Sequence, residues 1–288
     1  MGREAGKQIN FSIVVPVKDE IDLIPRTLPS YYAVNPSEVI ICTDKPVPRN
    51  VRQVIRKVAV ACNALDITRI VEVERDPDWN FHQAHVRRTG FKKAKHDRIL
   101  TVDIDLVINR NVLKALNPLG KNNIGLVSCS KFYYPKSLLD LWRIGATTFL
   151  RKIAHRILDP FMEITLFTGL YAIWKPFWLD SEPEEKIKKH MNPKQFYRGE
   201  YAEEISADMN PTGEDTHLRD CMSKKHRCIY LRDIGATILR DVYENVPYVE
   251  YMKGQYFHRR GRSLLVAVGR AFLRGQPHYL RGFLRAHN

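Results

Sequence analysis

The sequence predicts an α/β protein built on a largely parallel sheet with helices on its faces. Three observations predict it: short β-branched runs recur through the N-terminal half, these runs end in acidic or polar residues, and segments of helical periodicity fall between them. Strands joined by helical crossovers lie parallel, and ligands bind beyond their carboxyl ends.

The first strand is Phe11 to Val17, stopped by Lys18-Asp19-Glu20, and the second is Glu38 to Thr43, stopped by Asp44. From Val51 to Leu65 the apolar residues Val51, Val54, Ile55, Val58, Cys62 and Leu65 recur at helical spacing and form one buried face. Arg69 to Glu74 reads as a third strand, Phe81 to Lys95 as a helix and Arg98 to Ile104 as a fourth strand. The later half is less regular. Ile124 to Phe132 reads as a strand, Ser137 to Leu158 as a long helix with several basic residues, and Leu166 to Trp174 as another strand. Ser181 to Thr212 is polar, mixed in charge and without core periodicity, which predicts a functional lid or a disordered insert. Glu214 to Lys225 then reads as a helix, with short strands at Ile229 to Leu231 and Ala236 to Arg240. The expected organisation is one domain over residues 1–250, with 181–212 as its lid, followed by a basic segment over 251–288.

Composition narrows the classes. With 44% hydrophobic and 27% charged residues the chain folds, and neither a disordered nor a fibrous protein fits. Its longest uncharged apolar stretch, Ile164 to Trp174, has 11 residues, too few to span a bilayer. The polar start, Met1 to Asn10, has no apolar signal segment, so a cytoplasmic location is expected. Cys42, Cys62, Cys129, Cys221 and Cys228 show no metal or redox spacing and read as reduced thiols. The formal charge is +14, and residues 251–288 contribute eight Lys or Arg with no acid. Such an excess calls for an anionic partner: nucleic acid, anionic lipid or a phosphorylated substrate.

Three constellations carry candidate chemistry. In Thr101-Val102-Asp103-Ile104-Asp105 an apolar strand runs into two acids, which suit either a turn and helix cap or Mg²⁺ or Mn²⁺ bridging two phosphates. Glu214 and Asp215 open a helix, where acids are favoured by the dipole and where one can also serve as general base for a hydroxyl. The third, Gln255 to Ser263, holds His258 among Arg259, Arg260 and Arg262; it reads either as exposed surface or as an imidazole completing a metal site beside guanidiniums that neutralise a diphosphate.

Taken together and in order, these residues resemble glycosyltransferase family 2, enzymes of the GT-A fold that use nucleotide-diphosphate sugars. Phe11 to Glu20 is similar to the family's opening strand, and Glu38 to Asp44 to its second strand, with Asp44 where the family has a carboxylate near the base. Asn80 to Gly90 is similar to the family's Asn-x-Gly-x-x-x-Ala-Arg-Asn-x-Gly helix, keeping Asn80, Arg87 and Gly90. Asp103-Ile104-Asp105 matches the DxD, Phe167-Thr168-Gly169 the acceptor-side segment, Glu214-Asp215 the acidic pair, and His258 with Gly261 and Ser263 the C-terminal histidine motif. The resemblance spans residues 10–263, with departures at Thr43 for an acid, His82 for a glycine and Arg88 for an asparagine.

The resemblance implies an inverting transfer of a sugar from a UDP- or GDP-sugar to a hydroxyl of a glycan or lipid-linked acceptor. It implies nucleotide contacts at Pro16, Val17, Glu20, Asp44, Arg87 and Asp103, and Mn²⁺ or Mg²⁺ at Asp103, Asp105 and His258. Arg259, Arg260 and Arg262 would meet the diphosphate, Thr168, Gly169 and Trp174 the acceptor side, and Asp215 beside Glu214 would supply the base. Trp174, Phe177 and Trp178 form either core packing or an aromatic platform. Leu264 to Leu284, apolar on one face and basic on the other, suits either packing on the domain or contact with an anionic membrane, peripheral on its inner face. The competing class is a metal-dependent nuclease or phosphodiesterase using Asp103, Asp105 and Asp215. A sugar nucleotidyltransferase lacks support because residues 11–20 contain no glycine, and a catalytically silent binding module would keep the motifs without turnover.

Overall fold

The computed structural model describes residues 9–18, 20–133, 169–182, 184–188, 214–239, 251, 254–255, 258, 263–274 and 277–286. The expected helix at 137–158 and most of the expected lid lie outside them. The chain forms two compact units: 1–132, 166–190 and 212–239 in the first, and 133–165, 191–211 and 240–288 in the second.

The first unit is an eight-stranded sheet. Its strands are β1 Ser12–Pro16, β2 Glu38–Asp44, β3 Thr68–Val73, β4 Arg98–Val102, β5 Leu106–Val107, β6 Ile124–Tyr133, β7 Leu170–Trp174 and β8 Arg227–Ile238, in spatial order β3-β2-β1-β4-β7-β6-β8-β5. β3, β2, β1 and β4 are parallel, in the register Val14↔Ile40 and Val14↔Thr101. β7 runs antiparallel to both β4 and β6, and β5 antiparallel to β8. β1 and all but the last residue of β2 are buried, which is why both read as unbroken apolar runs. The expected α/β class therefore stands, with one refinement: β8 is one long strand where two short ones were expected, continuous through Gly235.

The helices of the first unit are α1 Ile24–Tyr32, α2 Arg49–Ala61, α3 His82–Lys93, α4 Lys175–Ser181, α5 Glu184–Lys188 and α6 Glu214–Met222. α2 buries Val51, Ile55, Val58 and Ala59 on one face, as the periodicity requires. α3 is different, burying Ala84, Val86, Arg87, Arg88, Gly90 and Phe91. Gly90 lets it lie directly on the sheet, since a Cβ there would stand 2.5 Å from Val14 Cγ1 and 2.6 Å from Cys42 Sγ. Phe91 packs edge-on to Tyr171 and Trp178 in the main core. The five cysteines are free thiols; burial pushes Cys42 and Cys129 up to about 12 and Cys228 to about 11, consistent with packing rather than reactivity.

In the second unit, α7 Leu264–Arg274 and α8 Pro277–Arg285 pack through Ala267, Tyr279 and Phe283. Gly254 and Gly282 mark a close backbone approach, a Cβ on Gly282 falling 1.9 Å from the Tyr251 carbonyl oxygen. Among the described residues no helix is long and apolar enough to cross a membrane.

Candidate active site

The carboxyl ends of β2, β1 and β4 form one edge, and most of the singled-out residues stand along it. Pro16 and Val17 close β1, with the Val17 amide donating to the Cys42 carbonyl at 2.8 Å. Just beyond, the Glu20 carboxylate accepts from the Lys18 amide at 2.9 Å. Asp44 ends β2, and its Oδ1 lies 3.0 Å from Nε2 of His82, the first residue of α3. The residue that departs from the family glycine therefore occupies Asp44. One turn on, His85 stacks on Trp79 with centroids 4.7 Å apart; burial, and then the neighbouring His82, holds its imidazole below the usual range.

The acidic turn after β4 is fixed from several sides. The Asp103 amide donates to the carbonyl of Gly169 at 2.8 Å, and Gly169 sits at φ 89°, a conformation that favours glycine. The Leu239 amide donates to the Asp105 carbonyl at 2.8 Å. Tyr31, fully buried in α1, reaches the carbonyls of Asp103 and Leu106 at 2.9 and 2.8 Å. Burial drives its phenol well above the usual range, so it stays protonated, with one hydrogen shared between two acceptors.

Arg87 and Arg88 supply the centre of the site, both almost wholly buried. Arg87 donates to Asp103 Oδ1 at 2.6 Å and to Asp215 Oδ1 at 2.8 Å, and its Nε lies 3.2 Å from Glu214 Oε1. Arg88 clasps Glu182 with two bonds of 2.7 and 2.8 Å, donates to Glu214 Oε2 at 2.6 Å, and reaches the Glu214 carbonyl at 3.1 Å. Trp178 Nε1 donates to the same Glu182 at 2.6 Å. Two guanidiniums thus face the four carboxylates Asp103, Glu182, Glu214 and Asp215. Burial, opposed by Arg87 and reinforced by Asp215, pushes Glu214 up to about 8. Asp215 retains more solvent access, at 12% of its side chain against 5% for Glu214.

The structure therefore brings together Pro16, Val17, Glu20, Asp44, Arg87, Asp103, Asp105, Gly169, Glu214 and Asp215. It does not bring Trp174 there. In the antiparallel register Val102 faces Leu170 while Arg98 faces Trp174, so Trp174 lies at the opposite end of β4 from Asp103, with the Arg98 guanidinium 5.1 Å from its ring. Of the two readings of the aromatic group, the structure shows packing: Trp178 is buried and Phe177 stacks on His226 at 4.0 Å. His258 belongs to the second unit, its ring edge-on to Phe283 at 4.8 Å. Thr168, Arg259, Arg260 and Arg262 lie outside the described residues. Among the described residues no three His, Cys, Asp or Glu side chains form a ready metal cage. Asp103 and Asp105 do offer hard oxygen donors at a strand end, which fit a cation whose other ligands come from phosphate and water.

Sequence reasoning missed Tyr31, Glu182 and the partnership of His82 with Asp44. Glu182 gave no signal, since it opens a stretch that looks uniformly polar. Arg88 was visible as a departure from the motif, and its partners were not.

The α/β sheet with its parallel arm and the acidic turn after β4 is a fold of the GT-A type. The family model for glycosyl transferase family 2 matches residues 12–174, and the chain belongs to that family. It is a glycosyltransferase, moving a glycosyl group from a nucleotide sugar. Among solved structures it is similar to the mannosyltransferase PcManGT from Pyrobaculum calidifontis in complex with GDP-Man and Mn²⁺, at 16% identity and TM-score 0.55 over 96% of this chain and 73% of that one. It also aligns with S. aureus TarS 1–349 at 16% identity and TM-score 0.47, over 97% and 72%. No curated protein matches the chain.

Proposed function

We propose that the protein transfers a hexosyl group, with inversion, from a UDP- or GDP-sugar to a hydroxyl of a glycan or lipid-linked acceptor. The observation that carries the reading is the single Arg87 guanidinium holding Asp103 at 2.6 Å and Asp215 at 2.8 Å. It ties the donor-side acid to Asp215, the more exposed member of the Glu214–Asp215 pair. Asp215 is the general base and Glu214 its buried neighbour. Pro16, Val17, Glu20 and Asp44 line the nucleotide side, and Gly169 the acceptor side.

Asp103 and Asp105 would hold Mn²⁺ or Mg²⁺, with His258 as the further ligand that the family resemblance implies. A divalent cation there supplies Lewis-acid charge to the leaving diphosphate. The GDP-Man and Mn²⁺ in complex with the similar mannosyltransferase support a nucleotide donor and a divalent metal. On the family reading Arg259, Arg260 and Arg262 add charge at the diphosphate, and residues 181–212 form the lid of a catalytic domain over 1–250.

The segment 251–288 rests on an anionic membrane at the cytoplasmic face. Leu265 is 83% exposed, and Leu264, Leu284, Arg281 and Arg285 are exposed with it, which supports this contact. Sedimentation with vesicles containing an anionic lipid, compared with neutral vesicles, tests it.

The test of the whole reading is calorimetric titration with UDP, GDP, CMP and a short DNA duplex, with and without Mn²⁺. Metal-dependent binding of one nucleoside diphosphate is expected, lost in Asp105→Asn and kept in Asp215→Asn, which loses turnover alone. Binding of DNA only, falling steeply with salt, would sink the reading in favour of a nuclease.

A further inference from the structure

Arg88 is spent on two acids from two different helices. Its Nε and one terminal nitrogen clasp Glu182, which caps the end of α4, in a forked pair at 2.8 and 2.7 Å. The other terminal nitrogen takes Glu214 Oε2 at 2.6 Å, and the forked nitrogen also reaches the Glu214 carbonyl at 3.1 Å. A guanidinium this buried is tolerated only with its charge compensated and its donors engaged. Glu182 supplies that compensation and is itself fixed by Trp178 Nε1 at 2.6 Å. The Phe91 ring lies 5.5 Å from the guanidinium and packs edge-on to Trp178, closing the apolar side.

What Arg88 fixes is the start of α6. Glu214 is held by side chain and by main chain, and the next residue is Asp215. With Glu214 so anchored, Arg87 meets Asp215 and Asp103 together. Without Arg88, Glu214 would compete for Arg87, whose Nε already lies 3.2 Å from Glu214 Oε1. The two arginines therefore divide the acids between them, and the division determines where the Asp215 carboxylate points.

We infer that Arg88 is a positioning residue for Asp215, acting through Glu214, and that Glu182 is the counter-charge that permits it. The inference rests on the reading of Asp215 as the base. It assigns Arg88 no contact with donor or acceptor, so its loss should lower turnover while leaving nucleotide affinity nearly intact. Lysine cannot replace it, because a single ammonium cannot fork onto Glu182 and reach Glu214 as well.

The experiment uses the full chain and its Arg88→Asn, Arg88→Lys, Arg88→Asn with Glu182→Gln, and Asp215→Asn variants. Binding of UDP and GDP with Mn²⁺ is measured by calorimetry, release of nucleoside diphosphate from the matching sugar donor gives kcat and KM, and thermal unfolding reports the fold. The double variant removes both buried charges, so it is expected to melt near the wild type while kcat stays at least tenfold down and nucleotide affinity stays within about threefold. Arg88→Lys is expected to bind nucleotide and to turn over as poorly as Arg88→Asn. A folded double variant with wild-type kcat overturns the inference, as does a loss of nucleotide affinity that matches the loss of kcat. If the double variant fails to fold, Arg88→Lys decides by the same two readouts. Full turnover by Asp215→Asn instead overturns the reading of the base, and the inference with it, whatever the Arg88 variants do.

Discussion

Replacing Glu214 by Gln separates two descriptions of the buried network. In one, Glu214 is an ionised partner of two arginines; in the other it is the proton holder of a cluster with more acids than cations. Its carboxyl rises from 4.5 to about 8, and at about 1.4 kcal/mol for each pKa unit this is a ceiling of about 5 kcal/mol. Between those two values the native chain keeps a proton that the unfolded chain has released, so wild-type stability falls as pH rises across that window. The acids of lowered pKa, Glu38 and Glu184 among them, lose their contribution below the unfolded value of 4.5, and His85, held below its usual range, acts alike in wild type and variant and cancels in their difference. Gln keeps a carbonyl oxygen for Arg88 and cannot ionise. The expected outcome is a variant close to wild type near pH 5 and progressively more stable than it toward pH 8, by up to about 5 kcal/mol. Urea unfolding followed by tryptophan fluorescence at half-unit pH steps measures the difference. A variant less stable than wild type by about 3–5 kcal/mol at every pH, the cost of breaking a buried ion pair, would refute the argument.

Three further outcomes follow from the same contacts. Tyr31→Phe removes the one hydrogen shared by the Asp103 and Leu106 carbonyls, costing about 1–2 kcal/mol of stability and weakening Mn²⁺-dependent nucleotide binding; unchanged binding by calorimetry would show the acidic turn needs no such hold. Gly90→Ala drives a methyl to 2.5 Å from Val14 Cγ1, an overpacking cost of about 1–3 kcal/mol against about 1 kcal/mol of helix propensity gained, so scanning calorimetry should show a lower Tm. Gly282→Ala sets a Cβ 1.9 Å from the Tyr251 carbonyl oxygen, and limited proteolysis should cut the second unit at lower temperature than in wild type.

The parallel arm was legible because its signals are local. Val14, Ile40 and Ile99 lie in buried strands, so burial appears as runs of apolar residues, and the α2 face repeats at helical spacing. The acid positions were legible for a different reason: Asp44 ends β2 and Asp103 directly follows β4, and strand ends are where such folds bind ligands. The partners of those acids were not legible. Arg87 lies 128 residues from Asp215 in the chain, and Arg88 lies 94 from Glu182, so only the packing of α3 against α4 and α6 reveals the pairs. Trp174 misled because it ends β7, and its true place depends on β7 running antiparallel to β4, a direction no residue pattern encodes.

Among the described residues, the charge around Arg87 and Arg88 is opposite in sense to that of the molecule. The chain carries +14, yet the cluster around Arg87 and Arg88 sets two guanidiniums against four carboxylates, with Asp105 two residues along the chain from Asp103. A proton on Glu214 reduces the excess but leaves three ionised acids and Asp105 facing two cations. A diphosphate approaching alone meets net negative charge at short range, where the low dielectric makes it felt. The net basic charge acts at longer range, drawing anions toward the surface without neutralising them at the strand ends. A divalent cation held by Asp103 and Asp105 would bring that local balance to about zero and remove the repulsion. Metal dependence of nucleotide binding is therefore favoured by the count of charges at Arg87 itself, on grounds separate from the family to which the chain belongs.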